Sequence, residues 1–211
     1  MMTVEEYLRL LLAGDGDACL AEAREIAVDL GGLHRLYVGL IAPSQYRVGE
    51  LWEAGRISVA KEHLATATNS YVATNCHAAL ARATAGGPKG LVACTCGELH
   101  EFGARLLSDL LECDGWDVDF YGASLPPRDL VEAARERRPR FIGISAALTM
   151  HLAGVKQTIS LIRAELADET PIVVGGNAFR GGGDLWRQVG ADLYAPDASA
   201  AVELLRGLRD R

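Results

Sequence analysis

The sequence predicts an N-terminal α-helical bundle over residues 1–84, a linker over residues 85–90, and a C-terminal α/β unit over residues 91–211 built on a five-stranded parallel sheet. Three observations carry this. Helical patterns joined by short breaks fill the first part, as in an antiparallel bundle. One Gly- and Pro-containing stretch, Thr84-Ala85-Gly86-Gly87-Pro88-Lys89-Gly90, then interrupts the pattern. Beyond it, apolar runs of strand length alternate with helical segments, which implies parallel strands with helices on both faces.

The first helix spans Thr3 to Ala13: Thr3 and Glu6 fit a capping box, and Leu8, Leu11 and Leu12 supply an apolar face. Gly14 and Gly16 break it. A second helix runs from Asp17 to Leu30 and is expected to end at Gly31-Gly32. A third begins near Leu33 and stops before Pro43. A fourth runs from Pro43 to Ala54 and ends at Gly55, and Ser58 caps a long fifth helix from Val59 to about Ala83.

In the second part the strand-like runs are Leu91–Cys94, Val118–Tyr121, Phe141–Ala146, Ile172–Val174 and a weaker Asp192–Ala195. The intervening helices are Phe102–Cys113, Pro127–Arg138, Met150–Ala167, Gly183–Val189 and Ala198–Arg209. The first, third and fourth runs are continuously apolar and belong in the centre of the sheet. The second alternates and the fifth is short and polar, so both belong at edges. The resulting order, 2-1-3-4-5, is that of a flavodoxin-like (Rossmann-type) sheet, in which ligands bind beyond the carboxyl ends of the first and third strands.

Composition limits the function. The 211 residues are 49% apolar, enough for a large core, and the net charge of −7 with no basic block argues against direct nucleic-acid binding. No apolar run approaches a membrane span, and the N-terminus lacks a signal-peptide layout, so a cytoplasmic protein is expected. Five scattered cysteines form no C-x-x-C pair and read as reduced thiols.

Three features fall at the ends of strands one, three and four. Glu98-Leu99-His100-Glu101-Phe102-Gly103 follows the first; a histidine in such a turn can face outward as a metal ligand while a nearby carboxylate holds the proton of its other ring nitrogen. Ser145-Ala146-Ala147-Leu148-Thr149 closes the third strand and offers hydroxyls. Gly175-Gly176-Asn177 closes the fourth and lets a ligand approach the backbone. His151 stands at the start of the next helix, where it either faces a ligand or is an ordinary polar residue of a helix start. Each feature alone also reads as an ordinary turn or strand end.

Glu98-x-His100-x-x-Gly103, Ser145-x-Ala147 and Gly175-Gly176 together resemble the cobalamin-binding domain of methionine synthase and its relatives. The resemblance implies that His100 is the lower axial ligand of cobalt, replacing the cofactor's own base, with Glu98 as its hydrogen-bond partner. Gly103, Ser145, Gly175 and Gly176 would line the channel for the detached nucleotide tail. Ala147 departs from the family's usual Leu or Thr, and Leu148 or Thr149 stands in for it through a shifted register. Within the bundle, Trp52 is followed after nine residues by Glu62-His63, which resembles the capping motif of light-sensing adenosylcobalamin regulators of the CarH type. There the Trp covers the adenosyl group, and the Glu-His pair offers it hydrogen bonds. Two departures stand out: this chain shows no DNA-binding domain, and Glu53 follows Trp52 where those regulators often have a histidine.

The first functional expectation is therefore a light-responsive cobalamin sensor that is not itself an enzyme. It would bind adenosylcobalamin base-off on His100, with a bilin as a possible second pigment, and signal through a homodimer or a separate effector protein. The alternative is a corrinoid carrier that shuttles methyl groups between separate methyltransferases. A third reading, a flavodoxin-like regulatory domain without cobalamin, finds Cys94-Thr95-Cys96 where a phospho-receiver would have acidic residues.

Overall fold

The computed structural model describes residues 2–80, 86–166 and 170–209, and the chain divides into two units, residues 1–83 and 84–211. The first unit contains α1 (Val4–Ala13), α2 (Gly16–Ile26), α3 (Leu30–Leu36), α4 (Ala42–Glu53) and α5 (Val59–Leu80). The capping box of α1 is formed: Thr3 Oγ1 accepts the Glu6 N–H at 3.3 Å and Glu6 accepts the Thr3 N–H at 2.8 Å. Ser58 Oγ accepts the Lys61 N–H at the start of α5. The expected end of that helix at residues 81–83, part of the linker (residues 84 and 85) and Ala167 lie outside the described residues.

Helix α5 packs against α1, α2 and α4. Tyr7, Leu11, Leu33, Leu36 and Ile41 are fully buried in this unit, each contributing about 1.5–3 kcal/mol over leaving it exposed. Several polar groups inside are paired. Tyr7 OH donates to Asn69 Oδ1 at 3.1 Å, Asn69 Nδ2 donates to Gln45 Oε1 at 2.9 Å, and Tyr37 OH donates to the Ala73 carbonyl at 3.0 Å.

Two expected breaks do not occur where the sequence placed them. Helix α2 stops at Ile26, and Gly31-Gly32 lie inside α3, which Asp29 caps by accepting the Gly32 N–H at 2.6 Å. The reason is contact: a Cβ on Gly32 would sit 2.1 Å from the Ile26 carbonyl oxygen. Nor does Pro43 end a helix. A π-turn over Tyr37–Ile41 joins α3 directly to α4. Proline lacks an N–H and crowds the carbonyl four residues back, here that of Gly39, and the wider turn accommodates it.

The second unit contains β1 (Lys89–Cys94), α6 (Phe102–Cys113), β2 (Asp117–Phe120), α7 (Pro127–Arg137), β3 (Phe141–Ser145), α8 (Leu152–Glu165), β4 (Ile172–Gly175), α9 (Leu185–Gln188), β5 (Leu193–Ala195) and α10 (Ala198–Arg209). All pairings are parallel and the order is β2-β1-β3-β4-β5, as expected from the apolar pattern. The polar residues of the edges are tied down: Asp117 pairs with Lys89, Asp119 with Arg137, and Asp192 accepts the Ile172 N–H. The helix expected from Met150 opens instead as a 3-10 turn, Thr149–His151, and the one expected from Gly183 shortens to α9 because Gly183 takes a left-handed φ of +55°.

Side-chain alternation divides the sheet. Leu91, Ala93, Ile142, Ile144, Ala146, Ile172 and Val174 form one core with α7 and α8 side chains. Val92, Cys94, Phe141, Gly143, Ser145 and Val173 therefore project to the other face, where α6 and α10 pack together. Trp116, just past α6, is fully buried there and meets Phe141 edge-on at 4.9 Å.

Gly176 follows β4 with φ +99° and ψ 170°, a region essentially reserved for glycine. A Cβ there would lie 2.2 Å from the Ala146 oxygen. Gly176→Ala is expected to lower the free energy of unfolding by about 3 kcal/mol or more, measured by urea denaturation; a loss below about 1 kcal/mol would show that this loop relaxes freely.

Candidate functional site

The site is assembled at the carboxyl ends of β1, β3 and β4. Register places Cys94, Ser145 and Gly175 side by side across the three strands. The loops that follow them are thus neighbours, as the strand order requires.

Glu98 is the centre. It lies in the loop after β1, its side chain fully buried. Oε1 accepts two hydrogen bonds from one residue: the His100 N–H at 2.9 Å and His100 Nδ1 at 2.5 Å. Oε2 reaches across to the loop after β3, where it accepts the Ala147 N–H at 2.7 Å, the Leu148 N–H at 3.2 Å and His151 Nδ1 at 2.8 Å. Burial alone would raise the carboxyl's pKa. The hydrogen bonds from the His100 backbone, from His151, from the His100 ring and from Ala147 outweigh it and hold the pKa at about 2. Glu98 is therefore an anion that only accepts, so both imidazoles carry their proton on Nδ1. The His100 side chain is 63% exposed, and its Nε2, the ring nitrogen not engaged by Glu98, is the one left to bind a metal.

The surroundings fit a flat metal macrocycle. Leu99, Leu148 and Met150, chain neighbours of His100 and His151, are large, apolar and exposed. Gly103 leaves the first turn of α6 bare, since a Cβ there would meet nothing within 4 Å. Among the described residues no group of three or more His, Cys, Asp or Glu side chains gathers to hold a bare metal ion. One oriented imidazole is the donor set suited to a metal whose equatorial positions a macrocycle already fills. Ser145 is half-buried at the end of β3, and its register neighbour Cys94 donates its thiol to the His100 carbonyl at 3.8 Å. Burial, with the charges of Glu98 and Glu101, pushes the Cys94 thiol up to about 12, so it remains a neutral side chain.

Of the residues singled out in the sequence, Glu98 and His100 are in direct contact. Ser145 and Gly175 are register neighbours, and Gly176 is held against Ala146. Thr149 is exposed and opens the 3-10 turn that carries His151. The other three lie in the helical unit. Trp52, near the end of α4, is 47% exposed. Glu62 and His63, at the start of α5, form a second carboxylate–imidazole pair, with His63 Nδ1 2.5 Å from Glu62 Oε2 and Thr66 Oγ1 donating to Glu62 Oε1 at 2.7 Å. The sequence did not reveal that Glu98 holds His151 and two backbone N–H groups of the next loop. The signal was present: a buried carboxylate needs donors, and the expected strand order puts the Ala147-Leu148 backbone beside it.

This arrangement is that of a corrinoid-binding unit, and the comparisons agree. The B12 binding domain family matches residues 88–205, and a second family of the same description matches residues 3–72. The chain belongs to the B12-binding domain family. It is similar to the dimethylamine corrinoid protein of Methanosarcina barkeri, with 36% identity over 50% of this chain and 49% of that one. It is also similar to the HTH-type transcriptional repressor CarH of Myxococcus xanthus, with 32% identity over 67% of this chain and 46% of that one. The chain thus spans about half the length of the curated relatives it matches. The solved monomethylamine corrinoid protein of Methanosarcina barkeri shares the fold, with a TM-score of 0.80 and 16% identity over 96% of each chain. Among the described residues no helix is long and apolar enough to cross a membrane.

The Glu98 network sets a pH dependence. The native pKa of about 2 lies below the ordinary 4.5, so this carboxylate stabilises the fold above pH 4.5 by about 3 kcal/mol. That contribution is lost as the pH falls through about 2. Glu98→Gln places an amide N–H₂ among N–H donors and is expected to cost about 2–3 kcal/mol at pH 7. It should also flatten the acid limb of stability against pH, measured by urea unfolding of the cofactor-free protein at several pH values.

Proposed function

We propose that this chain is a corrinoid carrier: it holds cobalamin and presents it to separate methyltransferases that load and unload a methyl group. The observation that carries this reading is the exposed His100 imidazole with its Nδ1 proton held by a buried carboxylate. When bound, the cofactor supplies a cobalt able to accept and give up a methyl group.

The chain's own residues do the rest. His100 Nε2 would hold the cobalt, and Glu98 fixes the tautomer and orientation of that ring. Leu99, Leu148 and Met150 would offer the macrocycle an apolar surface. Ser145 offers a hydroxyl to the detached nucleotide tail, and Gly103 leaves room for it at the start of α6, while Gly175 and Gly176 let the loop after β4 pack closely on the neighbouring backbone. A carrier needs no acid–base set of its own, because its partners perform the chemistry. Similarity to corrinoid proteins supports the partner class, and a homodimer is compatible with it.

A second reading is favoured by one specific feature, the Trp52-x9-Glu62-His63 spacing, together with a CarH match that covers two thirds of this chain. It makes the chain a light sensor for adenosylcobalamin, in which Trp52, Glu62 and His63 recognise the adenosyl group and a bilin is a possible second pigment. Signalling would pass to an effector protein or to a change of oligomeric state.

Binding constants separate the two. A carrier does not select its upper ligand, so methylcobalamin and adenosylcobalamin are expected to bind within about threefold of each other, and Trp52→Ala to affect both alike. Titration of the full chain in darkness, followed by absorption, measures this. An adenosylcobalamin preference of about tenfold or more that Trp52→Ala abolishes, with a change of oligomeric mass on green illumination, would establish the sensor instead.

A further inference from the structure

The loop after β2, residues 121–126, borders the His100 loop on the side away from β3. Past the end of β2 it keeps pairing with β1. The Tyr121 N–H donates to the Val92 carbonyl at 2.9 Å, the Cys94 N–H to the Gly122 carbonyl at 2.9 Å, and the Leu125 N–H to the Cys94 carbonyl at 3.2 Å. Ser124 then reaches the ligand loop itself. Its N–H donates to the Glu98 carbonyl at 2.9 Å, and its Oγ accepts the Gly97 N–H at 3.0 Å.

The ligand loop needs both bonds. Residues 95–98 form a tight turn: the Glu98 N–H donates to the Thr95 carbonyl at 2.9 Å, and Gly97 has φ +84° while Cys96 has none of the positive φ values. That is a type II turn, in which the N–H of the third residue points away from the turn and finds no partner within it. Ser124 Oγ is that partner. The main chain at Glu98 is thus fixed from the loop after β2, and the Glu98 side chain from the loop after β3. His100 follows two residues later, on a backbone held from both sides.

Ser124 adopts a costly conformation to do this. Its φ is +52°, a left-handed backbone that is unfavourable for any residue with a Cβ. Among the described residues Arg138 is the one other non-glycine residue with positive φ, and it caps α7, where that conformation is ordinary. Ser124 ends no helix. A glycine would relieve the backbone there, but it would leave the Gly97 N–H without its acceptor. Such conformations persist where surrounding contacts hold them, and they gather at ligand sites.

We propose that Ser124 forms the cobalt-ligand loop before the cofactor arrives, by holding the Gly97 N–H and the Glu98 carbonyl. It is a positioning residue that acts through the loop's backbone. The proposal rests on His100 being the cobalt ligand and deepens the carrier reading. Free cobalamin brings its own base, so the protein's imidazole competes best for cobalt from a loop already in place. A loop formed only part of the time lowers the apparent affinity by that fraction, and the loss falls on association.

The test compares the full chain in wild type, Ser124→Ala and Ser124→Gly. In the cofactor-free chain the Gly97 amide, followed by hydrogen exchange with nuclear magnetic resonance, is expected to exchange about tenfold faster in both variants. Aquocobalamin mixed rapidly with each is expected to associate about tenfold more slowly. The dissociation rate and the final absorption spectrum should stay those of the wild type, because His100 still reaches the cobalt once the loop has formed. Ser124→Gly removes the backbone cost and so reports on the hydroxyl even if Ser124→Ala does not fold. Ser124→Asn, a residue type that tolerates positive φ and carries a short side-chain acceptor, is expected to restore the wild-type association rate. Wild-type association in Ser124→Ala and Ser124→Gly, or unchanged exchange of the Gly97 amide, would overturn the proposal. So would a final spectrum matching that of His100→Ala, because Ser124 would then act on the bound complex and not on the free loop. If His100→Ala itself has the wild-type spectrum, the ligand assignment fails first, and the proposal with it.

Discussion

A carboxylate sealed from water and bonded by five N–H groups is the interaction on which the site depends. Removing Glu98 from solvent would by itself favour the neutral acid. The chain meets that cost by converging two backbone N–H groups from the loop after β3, one from His100 and two imidazoles on its two oxygens. The result is an anion fixed in position, and an anion that can only accept determines the tautomer of both rings. The orientation of His100 follows: Nδ1 faces inward to Glu98, and Nε2 is left outward.

The sheet makes that convergence possible. Glu98 and Ala147 are 49 residues apart in the chain, and they meet because β1 and β3 are adjacent and parallel. An order of 2-1-3-4-5 brings the ends of β1, β3 and β4 together and leaves a crevice beyond them. On the α6 and α10 side of the central strands the residues near that end are small: Cys94, Gly143, Ser145 and Gly175. On the opposite side Leu91, Ile142, Ile144 and Val174 are larger and pack against α7 and α8. One face thus carries large side chains toward the strand ends, and the other carries small ones.

Much of this was readable from residue patterns. Continuous apolar runs marked the central strands, and the alternating and polar runs marked the edges, because burial on two faces and on one leaves different periodicities. The Glu98–His100 pair was readable because both residues lie in one turn. What was not readable depended on distance in sequence or on close contact between backbones. His151 meets Glu98 across 53 positions. Gly31-Gly32 looked like a helix break but lie inside α3, where the Ile26 carbonyl leaves no room for a side chain at position 32. Pro43 looked like a terminus, yet a π-turn carries the helix through it. Trp52, Glu62 and His63 form a motif by spacing, and the structure adds that the pair is bonded and that the Trp is half exposed.

The central claim is that a protein histidine replaces the cofactor's own base on cobalt. Electron paramagnetic resonance of bound cob(II)alamin, with the protein's histidines labelled with ¹⁵N and the cofactor unlabelled, tests it most directly. A single axial ¹⁴N nucleus splits each cobalt line into a triplet and ¹⁵N into a doublet. If His100 is the ligand, labelling converts triplets to doublets and His100→Ala removes the doublets. Triplets that survive labelling would mean that the cofactor keeps its own base, and the Glu98 network would then have no role in ligation.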